Sequence, residues 1–238
     1  MMILALDTAL EDISVGLLLR DGRVFERSFR HERDALRRLT PLIRDVLREA
    51  GLRPQNLDVV ACTRGPGSFT GIRVGVAAAR ALADACGARM SGVSTLRALC
   101  MAGDADEGGI RLPLIRCRPG EVYAGLYRQQ SGRVWEPVRP DTVLPLPALG
   151  GWLAASGVNG CVEAVGPAVE LCAGALSAAD VGGVSLKLRT DITRVRIADV
   201  LEAALQDARS GCLLDPMELI PEYLRPSQAE IRASGGTD

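Results

Sequence analysis

The sequence predicts an α/β protein of two duplicated lobes, each a mixed sheet with flanking helices. Two observations carry that prediction. The chain begins with a three-strand meander, and after a polar, glycine-rich break at 103–109 it begins again in the same way. Behind each meander, strands and helices alternate, which points to parallel pairing. Set side by side, Leu4 to Phe25 and Leu114 to Trp135 share strand, turn, strand, a Gly-Arg-Val hairpin and an aromatic residue. Gly16 matches Gly125, and Gly22 matches Gly132 after one inserted residue, so the pattern reads as an internal repeat.

Taken in order, Met2 to Thr8, Ile13 to Arg20 and Gly22 to Phe29 form the first meander, with Asp21-Gly22 as a hairpin turn. Asp34 to Ala50 carries an apolar stripe of helical period (Leu36, Leu39, Ile43, Val46 or Leu47), with Pro41 expected to kink it or split off a first turn. Leu57 to Cys62 is an unbroken apolar run, as in a central strand covered on both faces. It leads into Arg64-Gly-Pro-Gly-Ser-Phe-Thr-Gly71 and a helix from Thr70 to Cys86 capped by Ser68 or Thr70. Ala88 to Val93 is a strand, and Ser94-Thr95 caps a helix to about Ala102. The second half reads as strands at Leu112 to Cys117, Glu121 to Arg128 and Gly132 to Val138, then a proline-rich connector over 140–147. Helices follow at Ala148 to Ser156 and Pro167 to Leu176 around a strand at Val162 to Val165. Asp180 to Thr193 reads as irregular, and Arg196 to Arg209 as an amphipathic helix. The expected lobes are 1–103 and 110–214, with 215–238 returning to the first.

Composition narrows the function. A net charge of −1 and 3% aromatic residues argue against a basic, base-stacking nucleic-acid surface. Seven cysteines stand singly with no C-x-x-C pair, so zinc and thioredoxin-like readings fail, and free thiols fit a cytoplasmic protein. The lone His31 leaves no histidine pair for a metal. Neither a catalytic set nor a metal set is expected. The 64–71 stretch lacks the lysine of a P-loop, but its amides could still meet an anion; Asp7, Thr8, Gly65, Gly67 and Ser68 are the candidate nucleotide- or anion-binding residues. Gly71, Gly75, Ala79 and Ala83 recur at every fourth residue and lay a strip without bulk along one helix face. That strip serves either packing on the chain's own sheet or contact with another subunit.

ILALDTA at the N-terminus, RGPGSFTGIRVG at 64–75, GVSTL at 92–96, GEVYAGLY at 120–127 and PEYLR at 221–225 resemble, in order and spacing, the bacterial TsaB family. That family is also called YeaZ or glycoprotease-like, and the resemblance covers nearly the whole chain. It implies the actin/Hsp70/sugar-kinase (ASKHA) fold. It further implies a non-catalytic paralogue of TsaD, acting as scaffold and activator in a threonylcarbamoyltransferase complex that modifies N6 of adenosine 37 in tRNA. The implied partners are TsaD, TsaE in a ternary complex, and a second copy of the chain when TsaD is absent, with no membrane and only indirect or minor tRNA contact. No cofactor is implied for this chain, with ATP or ADP at the level of the complex. Relatives often carry an aspartate where Arg116 stands here, which argues against an intact phosphate site. Under this resemblance the small strip, with Leu36, Leu39 and Ile43 of the preceding helix, is expected to be the partner interface. The alternatives are a nucleotide-binding enzyme of the same fold (an ATPase or kinase) and, less favoured, a metallopeptidase.

Overall fold

Both meanders form, and each becomes the antiparallel half of a five-stranded sheet. The structure, a computed structural model, describes residues 1–30, 35–177 and 181–225; His31, Asp34 and the tail from 226 lie outside the described residues. In the first lobe, Ile3–Asp7 (β1), Asp12–Leu18 (β2) and Val24–Arg30 (β3) pair antiparallel. Val59–Gly65 (β4) and Arg89–Ser94 (β5) add in parallel beside β1, giving the order β3-β2-β1-β4-β5. In the second lobe, Ile110–Arg118 (β6), Glu121–Gln129 (β7) and Trp135–Pro145 (β8) form the meander, and Gly160–Val165 (β9) and Val184–Leu188 (β10) the parallel side. That order, β8-β7-β6-β9-β10, matches the first element for element, so the repeat is a duplicated fold.

Two expectations change here. The proline-rich connector is strand: β8 runs on to Pro145. It is an edge strand, where Pro137, Pro140 and Pro145 need not all supply ladder N–H groups. The stretch 180–193, read as irregular, contains β10, a short edge strand whose Val184-Ser-Leu-Lys-Leu188 alternates apolar and polar residues.

The helices are Leu39–Glu49 (α1), Phe69–Cys86 (α2), Thr95–Cys100 (α3), Leu149–Ala154 (α4), Val169–Ser177 (α5) and Ile197–Arg209 (α6). Pro41 lies in the first turn of α1, where its missing N–H has no partner to lose, and a separate 3-10 turn precedes it at Ala35–Arg38.

The first sheet is covered on both faces, and the period of two decides which residue faces which helix. Leu4, Leu6, Val60 and Cys62 pack with α1 and α2. Ile3, Ala5, Val59 and Ala61 face the other way, toward α3 and α6. α6 therefore lies on the first sheet, contacting β1, β2, β4 and β5, rather than on the second sheet of the 110–214 region in which the sequence places it. The same core takes in Ile115, Tyr127, Trp135 and Val165 of the second lobe, so the two lobes share apolar packing.

α6 comes close enough that a Cβ on Gly16 would stand 2.8 Å from Ile197 Cγ1 and 3.0 Å from Leu201 Cδ1. Gly16→Val is expected to push α6 off the sheet and lower stability by about 1–3 kcal/mol, read from urea denaturation.

Candidate functional site

The glycine stretch works as a close-packing device. Ser68 caps α2, its Oγ accepting the Gly71 N–H at 3.2 Å. The Thr8 hydroxyl donates to the Gly71 carbonyl at 2.8 Å. A Cβ on Gly71 would lie 2.0 Å from Thr8 O, and one on Gly75 2.1 Å from Thr8 Oγ1. Gly65, at φ +124°, would meet the Glu222 carbonyl at 2.5 Å, and Gly67, at φ +156°, the Ala9 carbonyl at 2.2 Å. Glycine at these positions lets the turn after β1 and the segment near Glu222 touch the loop backbone to backbone.

This overturns the expected interface. Gly71, Gly75, Ala79 and Ala83 are buried, facing Thr8 and the first sheet of their own chain. Leu39 and Ile43 of α1 are buried in the same core, and the Leu36 side chain lies outside the described residues. The fourfold spacing marked a real strip, but its partner is intramolecular. The outward face of α2 instead carries Arg73, Ala77, Ala81, Asp84 and Ala85, beside half-buried Val74, Ala78 and Leu82. Ala77, Ala81 and Ala85 also recur at every fourth residue, so the helix carries two small strips, and the expected interface was the inner one.

Between the lobes runs a cleft of about 1110 Å³. Of the candidate anion-binding residues, Asp7, Gly67 and Ser68 line it, whereas Thr8 and Gly65 do not. Asp7 ends β1 with 1% of its surface exposed, its Oδ1 accepting from Thr63 Oγ1 at 2.7 Å and from the Ala9 N–H at 3.1 Å. Burial pushes its carboxyl up to about 6, against the downward pull of the Thr63 and Ala9 hydrogen bonds. The Ser68 N–H donates to the Ala9 carbonyl at 2.7 Å, so a donor that an anion would use is already occupied. Five carboxylates (Asp7, Glu11, Asp12, Glu170, Asp191) line the cleft against three arginines (Arg30, Arg116, Arg194), and Arg194 stands 3.9 Å from Asp12. Among the described residues no group of three or more His, Cys, Asp and Glu could hold a metal ion. The Ser68 amide is thus taken within the chain, and the walls carry more carboxylates than arginines.

Two further arrangements carry no signal of their contacts in the sequence. Asp141 of β8 accepts from Ser94 Oγ of the first lobe at 2.5 Å and from Tyr127 OH at 2.6 Å. Burial raises the carboxyl of Asp141 and, with the Asp141 charge, the hydroxyl of Tyr127. The segment 214–225 then straps across the first lobe. Leu214 pairs with Met90, Leu219 is fully buried, the Glu222 N–H donates to Arg64 O at 2.8 Å, and Arg225 reaches Glu121 of the second lobe at 3.5 Å. PEYLR lies in this strap; the motif flagged the segment without revealing what it touches.

Asp7→Asn keeps both hydrogen bonds to Oδ1 and removes the buried charge. Because the folded state raises the Asp7 carboxyl from 3.8 to about 6, the penalty is absent below pH 4 and complete above pH 6. The variant is expected to be more stable than the parent by about 2–3 kcal/mol at pH 7.5, with the difference vanishing below pH 4 in thermal melts taken across that range. Gly75→Leu, by contrast, is expected to destabilise the monomer itself by more than about 3 kcal/mol, seen as a lowered thermal midpoint at every protein concentration.

With this geometry established, comparison with known proteins identifies relatives. The family described as TsaD, tRNA N6-adenosine threonylcarbamoyltransferase, matches residues 30–145. The tRNA threonylcarbamoyladenosine biosynthesis protein TsaB of Escherichia coli is 37% identical over 145 residues, which is 60% of this chain and 62% of that protein. TsaB of Bacillus subtilis is 35% identical over 59% of this chain and 61% of that protein. The chain thus matches about three fifths of the length of these relatives. The solved structure of YeaZ from Pseudomonas aeruginosa superposes with a TM-score of 0.76 at 28% identity, covering 94% of this chain and 99% of that one.

Proposed function

We propose, on the premise that this chain is a homologue of the TsaB/YeaZ proteins, that it is a non-catalytic subunit of the machinery that makes N6-threonylcarbamoyladenosine in tRNA. Its task is to hold a TsaD-type threonylcarbamoyltransferase and keep it active. The observation that carries this reading is the outward face of α2. Ala77, Ala81 and Ala85 leave it nearly free of bulk, flanked by the half-buried Val74, Ala78 and Leu82. A helix can approach such a face to the short end of the usual 8–10 Å packing distance. Arg73 and Asp84 stand near opposite ends of the face, so an antiparallel helix with the reverse charges would be matched at both. A second copy of α2 meets that condition too, which supports a homodimer on the same face when TsaD is absent.

The non-catalytic role draws support from the cleft, where Asp7 is engaged by Thr63 and the Ser68 amide by Ala9. TsaE would join at the level of the complex, and any ATP or ADP would be bound there rather than in this cleft. The near-neutral net charge of −1 supports indirect or minor tRNA contact.

Ala77→Trp and Ala81→Arg change only outward-facing positions. Each is expected to weaken binding of TsaD from the same organism by at least about tenfold, or 1.4 kcal/mol, in titration calorimetry, with an unchanged thermal midpoint. Undiminished binding by both variants would contradict the assignment of this face.

A further inference from the structure

We propose that a patch built from Phe69, Met217, Ile220 and Tyr223, with Arg73 and Arg80, is a second docking point for the TsaD-type partner, taking an apolar segment that carries a carboxylate. This rests on the reading that the chain binds TsaD. Nine large apolar residues are exposed among the described residues, and four of them lie on the first residue of α2 and on the 214–225 strap, with Phe69 near Tyr223 and Met217 beside Arg80. Exposed apolar residues gathered in this way mark interaction sites, whereas scattered single residues do not.

The exposure is built into the strap rather than left by a loose end. Backbone hydrogen bonds of 2.9 and 2.8 Å between Met90 and Leu214 anchor one side, and the Glu222 N–H to Arg64 O bond anchors the other. Between these anchors Leu219 is fully buried in the first-lobe core, which turns its neighbour Ile220 outward at 65% exposure; Met217 is 76% exposed. The strap and α2 are joined across the patch. The Phe69 and Tyr223 ring centroids are 5.1 Å apart, and Arg80 Nη2 lies 3.3 Å from Met217 Sδ.

The charge in the patch says what should cover it. The Arg73 guanidinium lies 3.8 Å above the Phe69 ring and donates from Nε to Tyr223 OH at 2.9 Å. Neither Arg73 nor Arg80 meets a carboxylate among the described residues. A guanidinium has five N–H donors, so both cations keep donors to offer, and on an apolar surface their natural complement is a carboxylate. Arg73 is also one turn from Ala77 on the same helix, so a partner lying on the outward face of α2 reaches the patch without a gap.

The test uses the full chain and TsaD from the same organism, with affinity measured by calorimetry at low and high salt. Met217→Ser/Ile220→Ser and Arg73→Gln/Arg80→Gln are each expected to weaken binding about tenfold, with the thermal midpoint retained and Ser185→Asp on the second lobe without effect. The arginine variant should also show a shallower salt dependence than the parent. Parent-like affinity in both variants, with the parent binding normally, overturns the inference while leaving the TsaD reading intact. Loss of self-association with TsaD binding unchanged assigns the patch to a second copy instead. Tighter TsaD binding after deletion of residues 226–238 assigns it to the chain's own end, and also overturns the proposal. A parent chain that does not bind TsaD at all removes the reading on which the inference rests.

Discussion

The contact on which the first lobe depends is the one between Thr8 and α2. The Thr8 hydroxyl ties the end of β1 to the Gly71 carbonyl, and Gly71 and Gly75 let the two backbones meet where any side chain would keep them apart. From this contact the rest follows. The small face of α2 is drawn onto the sheet, Ala79 and Ala83 join its core, and the opposite face of the helix is turned to solvent. The same contact brings Ala9 against Ser68, so the turn after β1 sits on the loop. One packing decision therefore occupies the Ser68 amide within the chain and turns the other face of α2 to solvent.

The two lobes repeat one topology but do not behave as separable halves. α6 follows the second sheet in the chain yet covers the first, and its core continues into Tyr127, Trp135 and Val165 of the second lobe. Buried polar contacts add direction to that packing. Asp141 takes hydrogen bonds from Ser94 and Tyr127 at once, and Asp199 of α6 holds Arg196 together with Arg133 from the second lobe. Such pairs are expensive to leave half made, so they fix how the lobes meet more than they add net stability.

Much of this was legible in the sequence, and the parts that were not share a cause. The meanders, the central strand before the glycine stretch, a cap at Ser68 or Thr70 and the duplication all rest on local patterns that tertiary packing kept. The end of β8 was hidden because an edge strand tolerates proline, whereas β10 carried an alternating Val184-Ser-Leu-Lys-Leu188 pattern too short to stand out between glycines and charges. The placement of α6 was hidden because an amphipathic stripe states that a helix has a buried face, not which sheet buries it. The same limit explains the misplaced interface. Small residues every fourth position appear on both faces of α2, and spacing alone cannot say which strip meets the chain's own β1. Asp7, Gly67 and Ser68 line one cleft, but the sequence does not reveal that Thr63 and Ala9 already engage two of them.

On the proposed function, partner binding belongs to the outward face of α2 and the adjoining strap, not to the cleft. The most direct measurement places a photo-cross-linking side chain at Ala77, at Ile220 and, in the cleft, at Glu11, one at a time, and illuminates each protein with TsaD from the same organism. Cross-links to TsaD from Ala77 and Ile220, with none from Glu11, are the predicted result. Cross-links from Glu11 with none from Ala77 would contradict it.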